Sequence, residues 1–267
     1  GLVRHIMTRS TTSGELMVVV VVTRADIPKA DRLVELLRAV VPGLCSVCLS
    51  VNSRRTNVIL GTDIRVLWGK AAMEDTLCGL HFAVSPLSFF QVNPKQTEKL
   101  YGLALDYAGL TGNETVVDAY CGAGTISLLL AQKAKKVIGI EIVPEAIQNA
   151  NENAARNNIA NAEFRVGATE ELLPQLVADG LRPDVIVLDP PRKGCDPAVL
   201  QAIIAAAPQR VVYVSCGAPT LARDAKLLAE GGYAAEKVQC VDMFCWTGAV
   251  ETVMVLSKLF DAEQYRH

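Results

Sequence analysis

The chain has 267 residues, with 26 Lys plus Arg against 28 Asp plus Glu and a formal net charge of −2. This near-neutral balance argues against a protein that grips nucleic acid through its overall field, since neutralising phosphates needs a surplus of cations. With 51% hydrophobic residues and a mean hydropathy of +0.27, the chain can fill a sizeable core, which excludes a disordered protein.

The charge is distributed unevenly along the chain. Residues 1–90 carry 10 basic and 7 acidic side chains, whereas residues 91–267 carry 16 and 21. The most apolar stretch, Met17–Val22, is too short to span a membrane, so we expect a buried strand there and no membrane association. The first residue is Gly rather than Met and no apolar leader follows, so we expect part of a longer protein rather than a secretory precursor.

The first 85 residues predict a small α+β domain dominated by antiparallel pairing. A polar turn at residues 10–14 separates two β-branched runs, which is typical of a hairpin. Pro28 opens a helix that Pro42 and Gly43 close. The predicted strands of this domain are Leu2–Thr8, Glu15–Thr23, Cys45–Val51, Asn57–Leu60 and Ile64–Trp68.

Residues 86–267 predict a second domain of α/β class, a doubly wound parallel sheet with helices on both faces. Strands alternate with helices after Ser88, the pattern of a parallel sheet. The predicted strands are Thr115–Asp118, Lys136–Glu141, Ala162–Gly167, Asp184–Leu188 and Arg210–Val214, followed by an antiparallel pair at Tyr233–Val241 and Val250–Leu256. The predicted helices start at Asn93–Pro94, Thr125, Pro144, Glu170, Pro197 and Thr220.

A glycine loop follows the first strand of this domain. Gly122 and Gly124 allow a sharp turn and a close ligand approach, although a tight turn without a ligand has the same signature. Glu141 ends the next strand, where a carboxylate can accept hydrogen bonds from ribose hydroxyls. The third glycine of a dinucleotide fingerprint is missing, so a nucleoside without a diphosphate, S-adenosylmethionine, is the indicated ligand.

Two further strand ends carry chemical groups. Asp189 begins a rigid Asp-Pro-Pro loop at the carboxyl edge of the sheet, and Asp196 is better placed than Asp189 to cap the next helix. Cys216 follows the fifth strand just before a helix N-terminus, where the dipole favours a thiolate; the alternative is an inert buried cysteine.

Glu251 lies in an apolar strand and needs either a partner, a function or a position at the strand end that reaches solvent.

We predict no metal site, because Cys45 and Cys48 lack a second pair and the histidines have no partners at ligand spacing. The eight cysteines form no regular array, which favours a reducing, cytoplasmic compartment.

Five sequence blocks in order resemble one family, the S-adenosylmethionine-dependent RNA uracil-C5 methyltransferases. This family makes 5-methyluridine in bacterial 23S ribosomal RNA and in tRNA, and the similarity is closest to the ribosomal RNA branch. The resemblance covers essentially the whole chain and is carried by Ser88-Phe89-Phe90-Gln91-Val92-Asn93, Tyr120-Cys121-Gly122-Ala123-Gly124, Asp189-Pro190-Pro191-Arg192, Val214-Ser215-Cys216 with Thr220-Leu221-Ala222-Arg223-Asp224, and Asp242-Met243-Phe244 with Val250-Glu251.

The resemblance implies a Rossmann-like class I methyltransferase domain and an RNA substrate, 23S rRNA first and tRNA second. It assigns Cys216 as the nucleophile and Glu251 as the base. It also implies an N-terminal TRAM domain, and often a four-cysteine iron–sulfur site, upstream of this chain. We expect a monomer. The positions that match the family's cofactor site, together with the glycine-loop residue named above, are Gln91, Tyr120, Gly122, Thr125, Glu141 and Asp189.

The resemblance is incomplete beside both catalytic positions. Gly217 and Ala218 replace the usual Asn-Pro after the nucleophile, and Cys245, Trp246 and Ala249 replace a proline and two histidines before the base. A fragment that binds cofactor or RNA with little activity is therefore the alternative function. Methylation of an exocyclic amino group is a third reading, against which Arg192 and Cys216 weigh.

Overall fold

The computed structural model describes residues 1–88 and 90–259. It divides the chain into two compact units, Gly1–Phe90 and a second that begins at Gln91. Phe89, which belongs to one of the blocks quoted above, lies outside the described residues. The sequence predicts a domain boundary after residue 85. That boundary stays a prediction, as do the roles of the two units as functional domains.

Unit 1 contains a four-stranded sheet in the order β1-β2-β3-β4 and a separate two-stranded sheet, β5-β6. Strands β2 and β3 are parallel and are joined by the helix α1, while the other neighbouring strands are antiparallel. The elements of unit 1 are β1 Val3–Ser10, β2 Leu16–Val22, α1 Ala30–Val40, β3 Leu44–Val51, β4 Asp63–Gly69, β5 Met73–Leu77 and β6 Leu80–Val84.

Strand β2 is the centre of this unit, and its unbroken apolar run has a simple cause. Met17 and Val19 pack into one buried cluster, whereas Val18 and Val20 pack into another that includes side chains of α1. Because both faces of the strand are covered, neither face needs polar residues. The prediction of a buried strand here is confirmed.

One local prediction for unit 1 is wrong, and one hairpin is not indicated by the sequence. Residues 57–60 form no strand, because the buried Asn52 side chain donates to the carbonyls of Val58 and Ile59 and holds them in a loop. The β5-β6 hairpin was not predicted, because Asp75 interrupts its apolar alternation. Asp75 is nevertheless buried, and it accepts hydrogen bonds from the Thr12 backbone N–H and hydroxyl at 3.1 and 2.5 Å.

Unit 2 is built on a seven-stranded sheet in the order β12-β13-β11-β10-β7-β8-β9. Its elements are α2 Pro94–Ala108, β7 Thr115–Asp118, α3 Thr125–Ala131, β8 Lys136–Glu141, α4 Pro144–Arg156, β9 Ala162–Val166, α5 Thr169–Ala178, β10 Val185–Leu188, α6 Pro197–Ala206, β11 Arg210–Ser215, α7 Ala218–Glu230, β12 Tyr233–Val241 and β13 Glu251–Lys258.

The predicted doubly wound sheet is confirmed. Strands β7 to β11 pair in parallel, and β13 inserts antiparallel between β11 and β12. The chain runs outward from β7 through β8 to β9 and then returns to β10 on the other side of β7. Open α/β sheets bind ligands at such a reversal, outside the carboxyl ends of the strands.

Local sequence signals fix where the helices of unit 2 begin. The Asn93 side chain accepts a hydrogen bond from the Gln96 N–H, with Pro94 in the first turn of α2. Asp196 caps α6 in the same way by accepting from Ala198 N–H at 2.9 Å, as predicted. Over residues 1–88 and 90–259, none of the helices has the length and apolarity needed to cross a membrane.

Candidate active site

Three of the predicted side chains, together with Asp118, lie at one edge of the unit 2 sheet. Asp118 and Glu141 end the neighbouring parallel strands β7 and β8, while Asp189 and Cys216 come directly after β10 and β11. Glu251 joins them from the opposite chain direction, because it begins β13, whose Thr252 pairs with Ser215. The sheet therefore brings five chemical groups to its carboxyl edge.

The two glycines of the loop after β7 are required for different reasons. Both have a positive φ, 53° at Gly122 and 82° at Gly124. A Cβ on Gly124 would lie 3.0 Å from the Ala150 Cβ and 3.1 Å from the Phe164 ring, so this glycine also allows close packing. A Cβ on Gly122 would meet no atom of the described residues within 4 Å, so Gly122 borders open space.

Glu141 connects this loop to the start of α4. One carboxylate oxygen accepts the Gly122 N–H at 3.2 Å, and the other accepts the Val143 N–H at 2.9 Å. A carboxylate accepts several hydrogen bonds at once, so lone pairs remain available on both oxygens. Glu141 can therefore hold the loop and still accept hydrogen bonds from a ligand.

A cavity of about 310 Å³ lies beside Glu141. Ile142, whose side chain is 62% exposed, supplies an apolar wall next to the carboxylate. An apolar wall with a few acceptors and donors suits a nucleoside. The lining residues are Tyr120, Glu141, Ile142, Ala168, Thr169, Glu170, Pro191, Lys193 and Asp196.

Sequence reasoning identified Tyr120 and Glu141 in this cavity but missed Ile142 and the segment 168–170. That segment comes directly after β9, so the rule that led to Glu141, namely that ligand groups follow parallel strands, would also have found it.

Asp118 lies beneath this loop and is almost fully buried. Its Oδ2 accepts a hydrogen bond from Ser127 at 2.6 Å, whereas its Oδ1 has no partner among the described residues. Burial raises the pKa of Asp118 to about 6, the Ser127 hydrogen bond opposes that rise, and the charge of Glu141 adds to it.

The side chains of Gln91 and Thr125 both form hydrogen bonds with Tyr101 of α2, a residue that the sequence does not single out. The Tyr101 phenol is buried, and burial raises its pKa, helped by the charge of Asp189. Hydrogen bonding with the Thr125 and Gln91 side chains acts in the opposite direction on the pKa of Tyr101. The two predicted cofactor residues therefore contact the same buried hydroxyl group.

Cys216 and Glu251 share an electrostatic environment with Asp189. Burial raises the pKa of the Cys216 thiol, and the carboxylates of Glu251 and Asp189 raise it further. Burial also raises the pKa of Glu251, and burial raises that of Asp189 to about 7. Arg192 opposes the rise for both Cys216 and Glu251.

Burial and the two nearby carboxylates act against the thiolate that the position of Cys216 before a helix was expected to favour. Cys216 does lie just before α7, whose N-cap is Gly217. The helix dipole acts only within the first turn and is modest in size, so burial and two nearby carboxylates outweigh it. The environment of Cys216 thus favours the thiol over the thiolate.

Asp224 ties the Asp-Pro-Pro loop to the helix after Cys216. Its fully buried carboxylate accepts the Cys195 N–H at 2.8 Å, the Tyr213 hydroxyl at 2.7 Å and the Arg223 Nε–H at 2.8 Å. Arg223 also donates to the carbonyls of Lys193 and Cys195. The Arg223–Asp224 pair, which the sequence analysis noted only as part of a family block, thus fixes loop 189–195 relative to α7.

Two aromatic side chains, Phe90 and Trp246, lie in different settings. Phe90 is half-buried in unit 1, where it packs against a cluster that contains Met73 and Val84, with its ring 6.0 Å from that of Phe82. Trp246 is fully exposed in the loop between β12 and β13 and has a φ of 67°. Trp246 is therefore the more accessible of the two.

No group of three or more His, Cys, Asp or Glu side chains in the described residues is arranged to hold a metal ion. Cys45 and Cys48 lie on β3 with free thiols, and burial raises the pKa of both.

The sheet order, the glycine loop and the nucleoside-sized cavity define unit 2 as a Rossmann-like methyltransferase fold. The solved structure of a Pyrococcus abyssi tRNA (uracil-54, C5)-methyltransferase in complex with S-adenosyl-L-homocysteine is similar to the chain. The TM-score is 0.81 with 29% identity, over 96% of this chain and 60% of that one. Residues 9–259 match the family model described as tRNA (uracil-5-)-methyltransferase, and the chain belongs to this family.

Curated relatives agree with this assignment. An uncharacterized RNA methyltransferase of Halalkalibacterium halodurans is 51% identical over 257 residues, which is 96% of this chain and 56% of the relative. Another from Listeria innocua is 52% identical over 259 residues, 96% of this chain and 57% of the relative. The chain thus spans just over half the length of the curated relatives it matches.

Proposed function

We propose that the chain is the catalytic part of an S-adenosylmethionine-dependent RNA methyltransferase that methylates C5 of uridine. The observation that carries the proposal is the placement of Cys216 and Glu251 at the carboxyl edge of a sheet whose neighbouring strand ends border a nucleoside-sized cavity. Family membership supports the same activity. We further expect a monomer in the cytoplasm.

The residues of the cavity fit S-adenosylmethionine, which carries a sulfonium and an ammonium charge. Glu141 and Glu170 line the cavity with carboxylates, and Asp189 and Glu251 place further carboxyl groups at the same edge of the sheet. Glu141 has free acceptor capacity for ribose hydroxyls, and Ile142 offers an apolar surface for a base. When bound, the cofactor supplies the electrophilic methyl group that an activated uracil C5 takes.

Uracil C5 is a weak nucleophile and has to be activated by covalent addition. The Cys216 thiolate adds to C6, which places electron density on C5. After methylation of C5, Glu251 removes the C5 proton, the C5–C6 double bond forms again, and Cys216 leaves as the thiolate. The high pKa of Glu251 favours this step, because a carboxylate that prefers to be protonated is a better base.

Arg192 balances the charges around this pair. It is exposed on the loop that Asp224 fixes, and its charge favours the ionised forms of both Cys216 and Glu251. The target base has to leave its stack to reach Cys216, because C5 and C6 are covered inside a helix. Trp246 is placed to offer it an aromatic surface.

For the substrate we propose 23S rRNA, on the sequence resemblance to that branch. A specific observation favours tRNA as the second candidate, since the similar Pyrococcus abyssi enzyme is a tRNA (uracil-54, C5)-methyltransferase.

The test is to incubate the protein with labelled S-adenosylmethionine and either unmodified 23S rRNA or unmodified tRNA, and then to digest each RNA for mass spectrometry. We expect 5-methyluridine in the 23S rRNA digest. 5-Methyluridine only in tRNA would reassign the substrate. A methylated exocyclic amino group would overturn the reaction. Tight cofactor binding without turnover on either RNA would favour the binding-fragment alternative.

Glu141 offers a test of the cofactor site that does not need RNA. Glu141→Gln removes a charge and half of the acceptor capacity, and hydrogen bonds to charged groups contribute about 1.5–3 kcal/mol. We therefore expect S-adenosylmethionine to bind about 10- to 100-fold more weakly in calorimetry. Glu145→Gln, an exposed residue in the first turn of α4, is the matched control and should bind normally. Equal affinity of both variants would remove Glu141 from the site.

A further inference from the structure

Unit 1 carries a preorganised loop between β3 and β4, residues 52–62, whose conformation is fixed from inside. Asn52 is buried, its amide donates to the carbonyls of Val58 and Ile59 at 2.8 and 3.0 Å, and its Oδ1 accepts the Arg54 N–H at 3.1 Å. At the far end, a Cβ on Gly61 would lie 1.8 Å from the Val51 carbonyl oxygen, so only glycine fits there. A loop held in this way loses little conformational entropy when it binds a ligand.

The loop concentrates positive charge. Arg54 and Arg55 are exposed, and neither forms an ion pair with a carboxylate of the described residues. Arg4 of β1 reaches the loop and donates to the carbonyls of Asn52 and Arg54 at 3.0 and 2.6 Å. Asp63 lies at the same end of the sheet, but Arg65 already binds its carboxylate.

The loop also encloses a polar cavity of about 240 Å³. Its lining includes the hydroxyl residues Ser53, Thr56 and Thr62 together with Arg54. Hydroxyl and guanidinium groups donate hydrogen bonds to phosphate oxygens, and a guanidinium can donate two parallel hydrogen bonds to one phosphate.

Apolar side chains stand beside these cations. Val58 and Ile59 are 63% and 49% exposed on the same loop. The backbone carbonyls of both are fixed by Asn52, so the two side chains are presented rather than free to collapse onto the sheet. Cations with neighbouring apolar groups suit a chain of phosphates that also carries sugars and bases.

We propose that loop 52–62 is a second contact site for the RNA, separate from the chemistry at Cys216, in which Arg54 and Arg55 bind backbone phosphates. The proposal rests on the proposed function, because it takes RNA as the ligand. Arg54 and Arg55 also belong to the surplus of basic residues in the first 90 residues, and the proposal gives them a ligand.

The experiment compares the full chain with its Arg54→Ala/Arg55→Ala double variant by fluorescence anisotropy. The probe is a fluorescein-labelled single-stranded RNA of about 20 nucleotides, titrated between about 50 and 200 mM KCl. We expect affinity to fall about 10-fold, and the slope of log K against log[KCl] to become shallower by about 1.4, since each lost phosphate contact on a single strand removes about 0.7.

The control variant Arg38→Ala/Lys70→Ala removes the same charge from the other end of the same sheet. Arg38 lies over the Trp68 ring near the C-terminus of α1, and Lys70 follows β4 and pairs with Glu15. This control should keep the wild-type slope. The Arg54→Lys/Arg55→Lys variant should recover most of the slope, which separates lost charge from a misfolded loop.

Methylation kinetics and vesicle binding complete the test. If the proposed function holds, the double alanine variant should raise the KM for RNA and leave kcat unchanged. A wild type that binds RNA but does not methylate it would reject the proposed function while leaving the loop result intact. An unchanged slope and KM in the variant would overturn the loop proposal, and so would loss of binding to anionic phosphatidylserine vesicles with RNA binding unchanged.

Discussion

Replacing Cys216 with alanine is expected to abolish methyl transfer to RNA while leaving S-adenosylmethionine binding intact. In the proposed mechanism the Cys216 thiolate activates C5. Cys121 and Cys195 also lie in loops after parallel strands, but both are buried, whereas Cys216 is partly exposed directly after β11. Removing a covalent nucleophile costs about 10⁴-fold or more in kcat, so turnover should fall to background. Methyl incorporation measures the loss, and calorimetry with the cofactor measures whether the site is intact.

A second readout tests the covalent bond itself. RNA with 5-fluorouridine at the target position should form a complex with the wild-type chain that survives denaturing electrophoresis, because Glu251 cannot remove fluorine from C5 as it removes a proton. Cys216→Ala should give no such complex. Cys240→Ala, at an exposed position on β12, is the control and should behave as the wild type. Activity of Cys216→Ala within about 10-fold of wild type would reject the adduct mechanism.

The sequence was most informative where function follows strand ends. Glu141, Asp189 and Cys216 were each placed by one physical rule, that parallel strands present their carboxyl ends at a common edge, and the structure brings them together there. Glu251 needed a further step, the insertion of β13 between β11 and β12. The sequence predicted an antiparallel pair of final strands but not which of the two lies beside β11.

What the sequence could not supply were contacts between residues far apart in the chain. Tyr101 lies ten residues after Gln91 but meets Thr125 only through the packing of α2 on the sheet. Asp224 looks like an ordinary helix residue until the fold brings the Cys195 N–H and the Tyr213 hydroxyl to it. The raised pKa of Cys216 could not be predicted for the same reason, because it depends on burial and on Glu251 and Asp189 as neighbours.

The residues that replace the usual Asn-Pro after Cys216 form an ordered turn at the start of α7. Gly217 is the N-cap of α7, and its N–H donates to the Ser215 hydroxyl at 3.1 Å. Thr220 donates to the Gly217 carbonyl at 2.9 Å. The turn after Cys216 is therefore closed by its own hydrogen bonds despite the missing Asn-Pro, which favours an active enzyme over a binding fragment.

Glu251→Gln should stop turnover at a different point from Cys216→Ala. The amide cannot accept the C5 proton, so the adduct forms, C5 is methylated and Cys216 cannot leave. We expect a covalent complex with ordinary uridine RNA that contains the labelled methyl group and persists in denaturing electrophoresis, together with a kcat reduced about 10²- to 10⁴-fold. Asp242→Asn, in the exposed loop before β13, should release product normally.

The same variant should change the pH dependence of Cys216 without any RNA. The Glu251 carboxylate raises the pKa of the Cys216 thiol above its ordinary value, since a nearby negative charge disfavours the thiolate. A neutral glutamine removes that charge, so the pKa falls and the thiolate is present at lower pH. The rate of alkylation by iodoacetamide, measured against pH with cysteines 240 and 245 replaced by alanine, should therefore reach its half-maximum at a lower pH in Glu251→Gln. A shift to higher pH, or none, would show that Glu251 and Cys216 do not share the electrostatic environment on which the proton transfer depends.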